Sequence, residues 1–315
     1  MKTLNNALIG TLIIILSLFS CRKEVMNGKD GIDGKDGICE GKLEVYFTGS
    51  ITDEEAREII KNEIGHLTQK IYVTNTSNLT TLNLSNLKDL VEINISGNDN
   101  LENLNLSNLE IVHSKINISQ NYNLKSVDLP KLSKAGDLLI GNPWFGDSNQ
   151  ISTINVSNLK EALTLNIGYT KISTLSLPEL NSVKNGINFQ GNKNLATLIA
   201  PNLVSSQRID IGQNLLTQIS FPKFNGGDII INNETSLSSV SFPSLNSFNM
   251  FSVSNNTRLN STDINSLLYQ FLTITPQITS KVIILSGQNP SAPPTGSGIS
   301  HKNTLIGLGN SVYTD

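Results

Sequence analysis

The hydrophobic positions of this chain recur with a nearly fixed period between residues 79 and 258. Segments of the form L-x-x-L-x-L-x-x-L, where L is apolar, begin at residues 79, 101, 124, 151, 172, 195, 216 and 237. Successive starts are therefore separated by 21 to 27 residues. A period in this range is typical of a solenoid, in which each turn buries its apolar face only against neighbouring turns.

Each repeat contains two strand-like segments whose apolar residues lie two positions apart. In the first segments these pairs are Leu82/Leu84, Leu104/Leu106, Val127/Leu129, Ile154/Val156, Leu175/Leu177, Leu198/Ala200, Ile219/Phe221 and Val240/Phe242. In the second segments they are Ile93/Ile95, Ile116/Ile118, Leu138/Ile140, Leu165/Ile167, Ile187/Phe189, Ile209/Ile211, Ile229/Ile231 and Phe251/Val253. Residues two apart on a strand share a face, so stacked turns form continuous apolar columns. The pattern predicts a mostly β, single-chain β-solenoid of about eight turns, on the order of 40 Å long.

Proline and asparagine recur at the corners between these segments. Prolines follow the first segment at positions 130, 178, 201, 222 and 243, where a missing N–H ends strand pairing. Asparagines recur near the end of the turn, at Asn98, Asn121, Asn192, Asn214 and Asn255. We expect these asparagines to adopt the left-handed conformation that tight corners need. Calcium prefers carboxylates to amides, so we predict no metal at these positions. We also predict no cofactor.

The segments on either side of the repeats predict small α/β caps at residues 42–78 and 259–315. In the first cap Leu43, Val45 and Phe47 alternate as in a half-buried strand. Thr52 and Glu55 have the capping-box spacing, and Gly65 suits the helix end. The apolar face of this helix comprises Ala56, Ile59, Ile60, Ile64 and Leu67.

The second cap begins with a helix whose apolar face comprises Ile264, Leu267, Leu268 and Phe271. Ser261 or Thr262 is available to cap that helix. A short strand, a Pro/Gly loop, a helix closed by Gly309 and a last strand complete the unit. Since a solenoid end exposes strand edges and core, we expect these units to cover it.

The recurring phrases "LSLPELNSV" and "INFQGNKNL" resemble leucine-rich repeats of the receptor L-domain type. BspA-like bacterial surface proteins are a looser relation. The resemblance covers residues 79 to 258 and implies recognition of proteins, peptides or glycans through the exposed sheet and loops.

The first 20 residues have the features of a signal peptide. Lys2 precedes an apolar run from Ala7 to Phe19, which is short for a membrane span. The ending Leu18-Phe19-Ser20-Cys21 resembles the lipobox of bacterial lipoproteins, which implies cleavage before Cys21 and lipidation of its thiol. We therefore expect an outer-membrane lipoprotein exposed on the surface of a Gram-negative cell. An ordinary secretory signal is the alternative.

Residues 21–41 then form a tether with Gly at 28, 31, 34 and 37. Glycine at every third position is collagen-like, but four triplets without proline are too few to hold a triple helix. We favour a flexible tether over a trimerising stalk. Cys39 is then either a free thiol or an intermolecular link. The net charge of −3 does not favour nucleic acid as a partner.

The sequence contains no recognisable catalytic constellation. No zinc-protease, nucleophile-elbow or phosphate-loop motif is present. A polysaccharide-cleaving β-helix is the enzyme alternative, and that chemistry needs paired carboxylates on one face. The outward acids Asp128 and Asp210 fall on different predicted sheets, three turns apart. We therefore predict that the protein is not an enzyme.

One corner carries an insertion with the only tryptophan of the chain. Ile140 and Ile151 are 11 residues apart, whereas the equivalent Ile118 and Leu124 are 6 apart. Insertions in solenoids map to loops, often on the binding face. The candidate binding residues are Asn142, Pro143, Trp144, Phe145 and Asp147 of this loop, with the outward apolar residues Leu139 and Ile199.

The sequence therefore predicts a lipid-anchored cell-envelope binding or adhesion module for a protein or glycan ligand. Trp144 either contacts that ligand or folds back over a neighbouring corner. A purely structural envelope spacer is the alternative function.

Overall fold

A computed structural model describes residues 40–141 and 150–315, which form a mostly β solenoid around one continuous parallel sheet. Twelve strands follow one another across this long sheet in chain order. They are β1 (Glu44–Gly49), β2 (Lys70–Thr76), β4 (Asp89–Ser96), β6 (Ile111–Ser119), β8 (Lys134–Gly141), β10 (Glu161–Gly168), β12 (Ser182–Gln190), β14 (Ser205–Gly212), β16 (Gly226–Asn232), β18 (Met250–Ser254), β19 (Val282–Leu285) and β20 (Ser311–Thr314).

The opposite side of the solenoid consists of eight three-residue strands. They are β3 (Thr81–Asn83), β5 (Asn103–Asn105), β7 (Ser126–Asp128), β9 (Thr153–Asn155), β11 (Thr174–Ser176), β13 (Thr197–Ile199), β15 (Gln218–Ser220) and β17 (Ser239–Ser241). They pair in parallel two by two, from β3 with β5 to β15 with β17. One short strand and the long strand after it make one turn, which confirms the predicted solenoid.

Helices replace the short strand at both ends. Helix α1 (Asp53–Glu63) precedes β2, α2 (Ser261–Thr273) precedes β19 and α3 (Ser297–Gly307) precedes β20. Each of these helix–strand units adds a turn to the eight predicted. Because β1, β2, β19 and β20 belong to the long sheet, the end units continue the solenoid.

Side-chain hydrogen bonds cap the N-termini of helices α1 and α2. Thr52 and Glu55 form the predicted capping box at α1. Helix α2 is capped by Asn260, and the prediction of Ser261 or Thr262 was wrong by one or two positions. The Asn260 amide oxygen accepts from two helix N–H groups, and Asp263 accepts the N–H of Asn260 in return.

The predicted inward pairs form the core. All sixteen inward residues of the long strands are at most 1% exposed. Among the short-strand residues, Leu104, Ile154, Leu198 and Val240 are half-buried and the others are buried. Each buried Leu, Ile or Val contributes about 1.5–3 kcal/mol relative to exposure, so these columns dominate the packing energy.

Two residues predicted to be inward are exposed instead. Leu43 is 57% exposed because β1 begins one residue later, at Glu44. Leu67 is 41% exposed because α1 ends at Glu63 and Ile64 is already extended. Helix α1 therefore ends before Gly65. The apolar spacing in the sequence extends beyond the helix that it predicted.

Candidate binding face

The corner after each long strand differs from the predicted one in the residue that adopts the left-handed conformation. Asn98, Asn121, Asn192 and Asn214 are buried and do not have positive φ. The residue before each is left-handed: Gly97, Gln120, Gly191 and Gln213 have φ between 56° and 72°. Only Asn255, with φ 55°, fits the predicted role, and Asn256 after it is the buried amide. The prediction was wrong because these amides bond inward, between turns.

Five buried amides form an asparagine ladder, consisting of Asn98, Asn121, Asn192, Asn214 and Asn256. The Nδ2 of each donates to a carbonyl of the preceding turn, as Asn192 does to Ile167 at 2.9 Å. The Oδ1 of each accepts a backbone N–H of the preceding turn, as Asn192 does from Thr170 at 3.0 Å. The Nδ2 and the Oδ1 of each amide therefore both form hydrogen bonds within the solenoid. No group of three or more His, Cys, Asp or Glu that could hold a metal occurs in residues 40–141 and 150–315.

Glu234 occupies the same position as the ladder asparagines and is fully buried. Its Oε1 accepts the backbone N–H of Asn214 at 3.2 Å and the Asn214 Nδ2 at 2.7 Å. Its Oε2 accepts the N–H of Leu216 at 3.1 Å. Burial raises the pKa of the Glu234 carboxyl to about 7, although these hydrogen bonds act in the opposite direction.

A shortened corner explains why a carboxylate stands there. After Asn192 the next buried leucine, Leu195, is three residues on and its N–H donates to the Asn192 carbonyl at 2.8 Å. After Asn214 the buried leucine is Leu216, only two residues on. The N–H of Leu216 instead donates to the Oε2 atom of Glu234. An asparagine has no second oxygen that could accept this hydrogen bond. Sequence reasoning missed this residue, and aligning "INNETSL" with "ISQNYNL" would have indicated it.

The eight short strands present a flat face of uncharged polar side chains, here called the short-strand face. Its sixteen outward residues are Thr81, Asn83, Asn103, Asn105, Ser126, Asp128, Thr153, Asn155, Thr174, Ser176, Thr197, Ile199, Gln218, Ser220, Ser239 and Ser241. Asp128 is the one charged residue among them, and its Oδ1 accepts from Asn155 at 2.7 Å. Hydroxyl and amide groups therefore dominate the chemistry of this face.

Local hydrogen bonds orient the asparagines of this face. The Oδ1 of Asn83 accepts the N–H of Ser85 at 3.1 Å, and that of Asn105 accepts from Ser107 at 3.0 Å. These bonds fix the acceptor end of each amide against its own corner. They leave the exposed N–H groups of both amides without a partner in the described part of the chain.

A shallow depression of about 260 Å³ lies at the first three turns of the short-strand face. Leu82 and Leu104, whose side chains point inward, line it between the outward residues. The polar residues around it are Thr81, Asn83, Asn103, Asn105 and Ser126. Hydroxyl and amide groups therefore surround the depression.

The outer face of the long sheet carries a second row of side chains in register, here called the outer row. It comprises Tyr46, Tyr72, Asn94, Asn117, Leu139, Asn166, Asn188, Asp210, Ile230, Ser252, Ile284 and Tyr313. Within it the Asn117 Nδ2 donates to the Asn94 Oδ1 at 2.8 Å. Leu139 interrupts the amides, and the buried Oδ1 atoms of Asn117 and Asn166 on either side have no hydrogen-bond partner among the described residues.

The predicted site residues do not come together as one surface. Leu139 is half-buried in the outer row, whereas Ile199 is 43% exposed on the short-strand face. Asn142, Pro143, Trp144, Phe145 and Asp147 lie outside the described residues, as do Cys21 and Cys39.

The two outward acids are separated as predicted, because Asp128 lies in β7 and Asp210 lies in β14 of the long sheet. Each has a partner of its own. Asp128 accepts from Asn155, and Asp210 pairs with Arg208 at 2.6 and 2.8 Å.

Comparison of the chain with family models, curated proteins and solved structures finds no match. The resemblance to receptor L-domain repeats therefore stays a prediction. No helix in residues 40–141 or 150–315 is long and apolar enough to cross a membrane.

Proposed function

We propose that this protein is a lipid-anchored cell-envelope module that binds a neutral glycan through the short-strand face. The observation that carries the proposal is the composition of that face, where one of sixteen outward side chains is charged. Hydroxyl and amide groups both donate and accept, which matches the hydroxyl groups of a sugar. The depression in this face supplies a concave place where several of these hydroxyl and amide groups lie close together.

The repetition of the face favours an extended ligand. Equivalent side chains on successive turns stand about 4.8 Å apart, so a polymer can meet the same groups several times. Several weak contacts along one chain sum to a useful affinity through high effective concentration. Neutral groups also lose less hydration energy on binding than charged groups do.

A glycan array and a protein array, both probed with the purified chain, test this proposal. We expect glycan binding that weakens at least about tenfold on combining Thr81→Val with Ser126→Ala, since each change removes a hydroxyl from the depression. Thr164→Val is the matched control, because Thr164 lies on the long sheet. If the chain binds only to the protein array, its ligand is a protein and not a glycan. If it binds to neither array, the structural spacer is favoured.

The membrane anchor in this proposal rests on the lipobox-like sequence before Cys21. We expect a radiolabelled fatty acid to be incorporated into the chain in cells and lost in Cys21→Ser. Protease added to intact cells should degrade the protein if it faces outward. Protection until the outer membrane is opened would place it on the periplasmic side.

A further inference from the structure

Exposed hydrophobic side chains are concentrated at the two ends of the solenoid. In the described part of the chain, the end units expose Leu43, Tyr46, Leu67, Tyr269, Ile299, Ile306 and Tyr313. The longer stretch of eight turns between them exposes Leu163, Ile199 and Leu215. Clustered exposed apolar side chains mark surfaces that contact another molecule. The ends therefore differ in kind from the polar sides.

Both ends also present a strand edge. Among the described residues, β1 pairs only with β2, and β20 pairs only with β19. An unpaired edge strand carries backbone N–H and C=O groups that can pair with another strand. All neighbours in the long sheet are parallel, so the two edges run in the same direction.

The two edges are in register with each other. Followed strand by strand, the column that begins with Val45 ends with Val312, and the column that begins with Tyr46 ends with Tyr313. A second copy added to either edge thus keeps apolar residues inward and tyrosines outward. A one-residue slip would reverse the faces, so this agreement is a specific property of the two ends.

We propose that copies of this chain associate end to end, with β20 of one copy beside β1 of the next. Tyr46 already stacks on Tyr72, with ring centroids 5.0 Å apart and planes 14° from parallel. In the joined sheet Tyr313 of the second copy takes the next place in this row, on the other side of Tyr46. Aromatic neighbours across adjacent strands stabilise such a pair beyond their buried area.

The β1 end of the solenoid has a concave surface beside helix α1. A groove of about 500 Å³ lies between α1 and the chain after β1. In the joined sheet, β1 separates β2, which follows α1, from the second copy's β20, which follows α3.

The same helices are complementary in chemistry. Helix α3 exposes Ile299 and Ile306, seven residues apart and therefore on one side of the helix. The groove at the other end contains Ile51 and Ile59. Three glutamates line this groove, Glu54, Glu55 and Glu58. Helix α3 carries His301 and Lys302 and no acidic residue.

This contact joins two different surfaces, so it is heterologous and can extend into rows. The test measures the mass of the whole chain by light scattering at increasing concentration. The wild type should grow beyond the monomer as concentration rises. Tyr46→Lys and Tyr313→Lys should each weaken association about tenfold or more.

Mixing the two variants gives the decisive result. Each variant keeps one intact end, and the intact ends are complementary, so an equal mixture should form one-to-one dimers and stop there. Leu163→Lys is the control, because Leu163 is also an exposed apolar residue but lies on the side of the solenoid. Circular dichroism confirms that each variant is folded.

Three results would overturn end-to-end association. The wild type could stay monomeric at every concentration. Either single variant could assemble as the wild type does, which would point to another surface or to the N-terminal segment. The mixture could remain monomeric while both variants are folded. Glycan binding by the short-strand face does not depend on any of these outcomes.

Discussion

Glu234 places an ionisable carboxyl in a row of uncharged amides, and this has a consequence for stability. The folded-state pKa of about 7 lies above the ordinary value of 4.5 for a glutamate carboxyl. The native state therefore binds this proton more tightly than the unfolded state does. The stability from this group is fully present below about pH 4.5 and is lost as pH rises through about 7.

We predict that the urea midpoint of unfolding is lower at pH 8 than at pH 5. The loss amounts to about 3 kcal/mol for a shift of this size in a fully buried group. Glu234→Gln should unfold at nearly the same urea concentration at both pH values, because the amide does not ionise. Equal wild-type midpoints at pH 5 and pH 8 would show that Glu234 does not titrate in this range.

The asparagine ladder gives a second prediction at the scale of single residues. Asn192→Ala removes the partner of the Thr170 N–H and of the Ile167 carbonyl, both of which lie within the solenoid. Leaving two buried backbone groups unpaired should lower the free energy of unfolding by about 2–5 kcal/mol. Asn194→Ala is the control, because Asn194 is exposed on the same corner, and its effect should stay within about 0.5 kcal/mol.

The sequence indicated that these corner positions matter without indicating how they work. Recurrence of asparagine is visible in one sequence, whereas the choice between a left-handed backbone and a buried amide depends on the neighbouring turn. Gln120 and Gln213 take the left-handed conformation, although glutamine is not a usual signal for it. The role of Glu234 likewise depends on the shortened corner one turn away.

At the scale of elements, the alternation of inward and outward residues along the long strands could be predicted in full from the sequence. Every predicted long-strand pair is buried. When apolar and polar residues alternate along a strand, only one orientation of the strand turns the apolar face toward the core. Element ends were predicted less well, since Leu43 continues the apolar pattern before β1 begins and Leu67 continues it after α1 has ended. The sequence spacing also does not encode the pairing of the short strands two by two.

Leu139 and Leu138 offer a matched test of this alternation in β8. Leu139→Asn places an amide beside the unpartnered Asn117 Oδ1 in the outer row, so we expect a loss below about 1 kcal/mol. Leu138→Asn puts an unpaired amide into the core, since Leu138 is 1% exposed, and should cost more than about 3 kcal/mol. Thermal unfolding of both variants measures the difference, and equal losses would contradict the assigned faces.

At the scale of the whole molecule, the solenoid separates two kinds of surface. The sides are polar and repetitive, and the described ends carry apolar side chains with open strand edges. The sequence predicted the rod and its end units, because each follows from local periodicity. It did not predict that the two edges share one register, because that depends on the sum of eleven strand pairings.

The binding surface was predicted less well than the fold for a physical reason. Candidate residues were chosen for being apolar and outward, and Leu139 and Ile199 meet that criterion on opposite sides of the solenoid. The short-strand face is distinguished by what fifteen polar residues, each ordinary by itself, form together, and no single position indicates it.

The dependence of glycan affinity on salt tests the central proposal most directly. Titration of the purified chain with a glycan identified on the array, at low and at high sodium chloride, compares the two dissociation constants. Recognition by uncharged hydroxyl and amide groups predicts equal constants, since screening acts on charges. A constant that rises steeply with salt, in a protein whose binding survives Thr81→Val with Ser126→Ala, would contradict binding by the short-strand face.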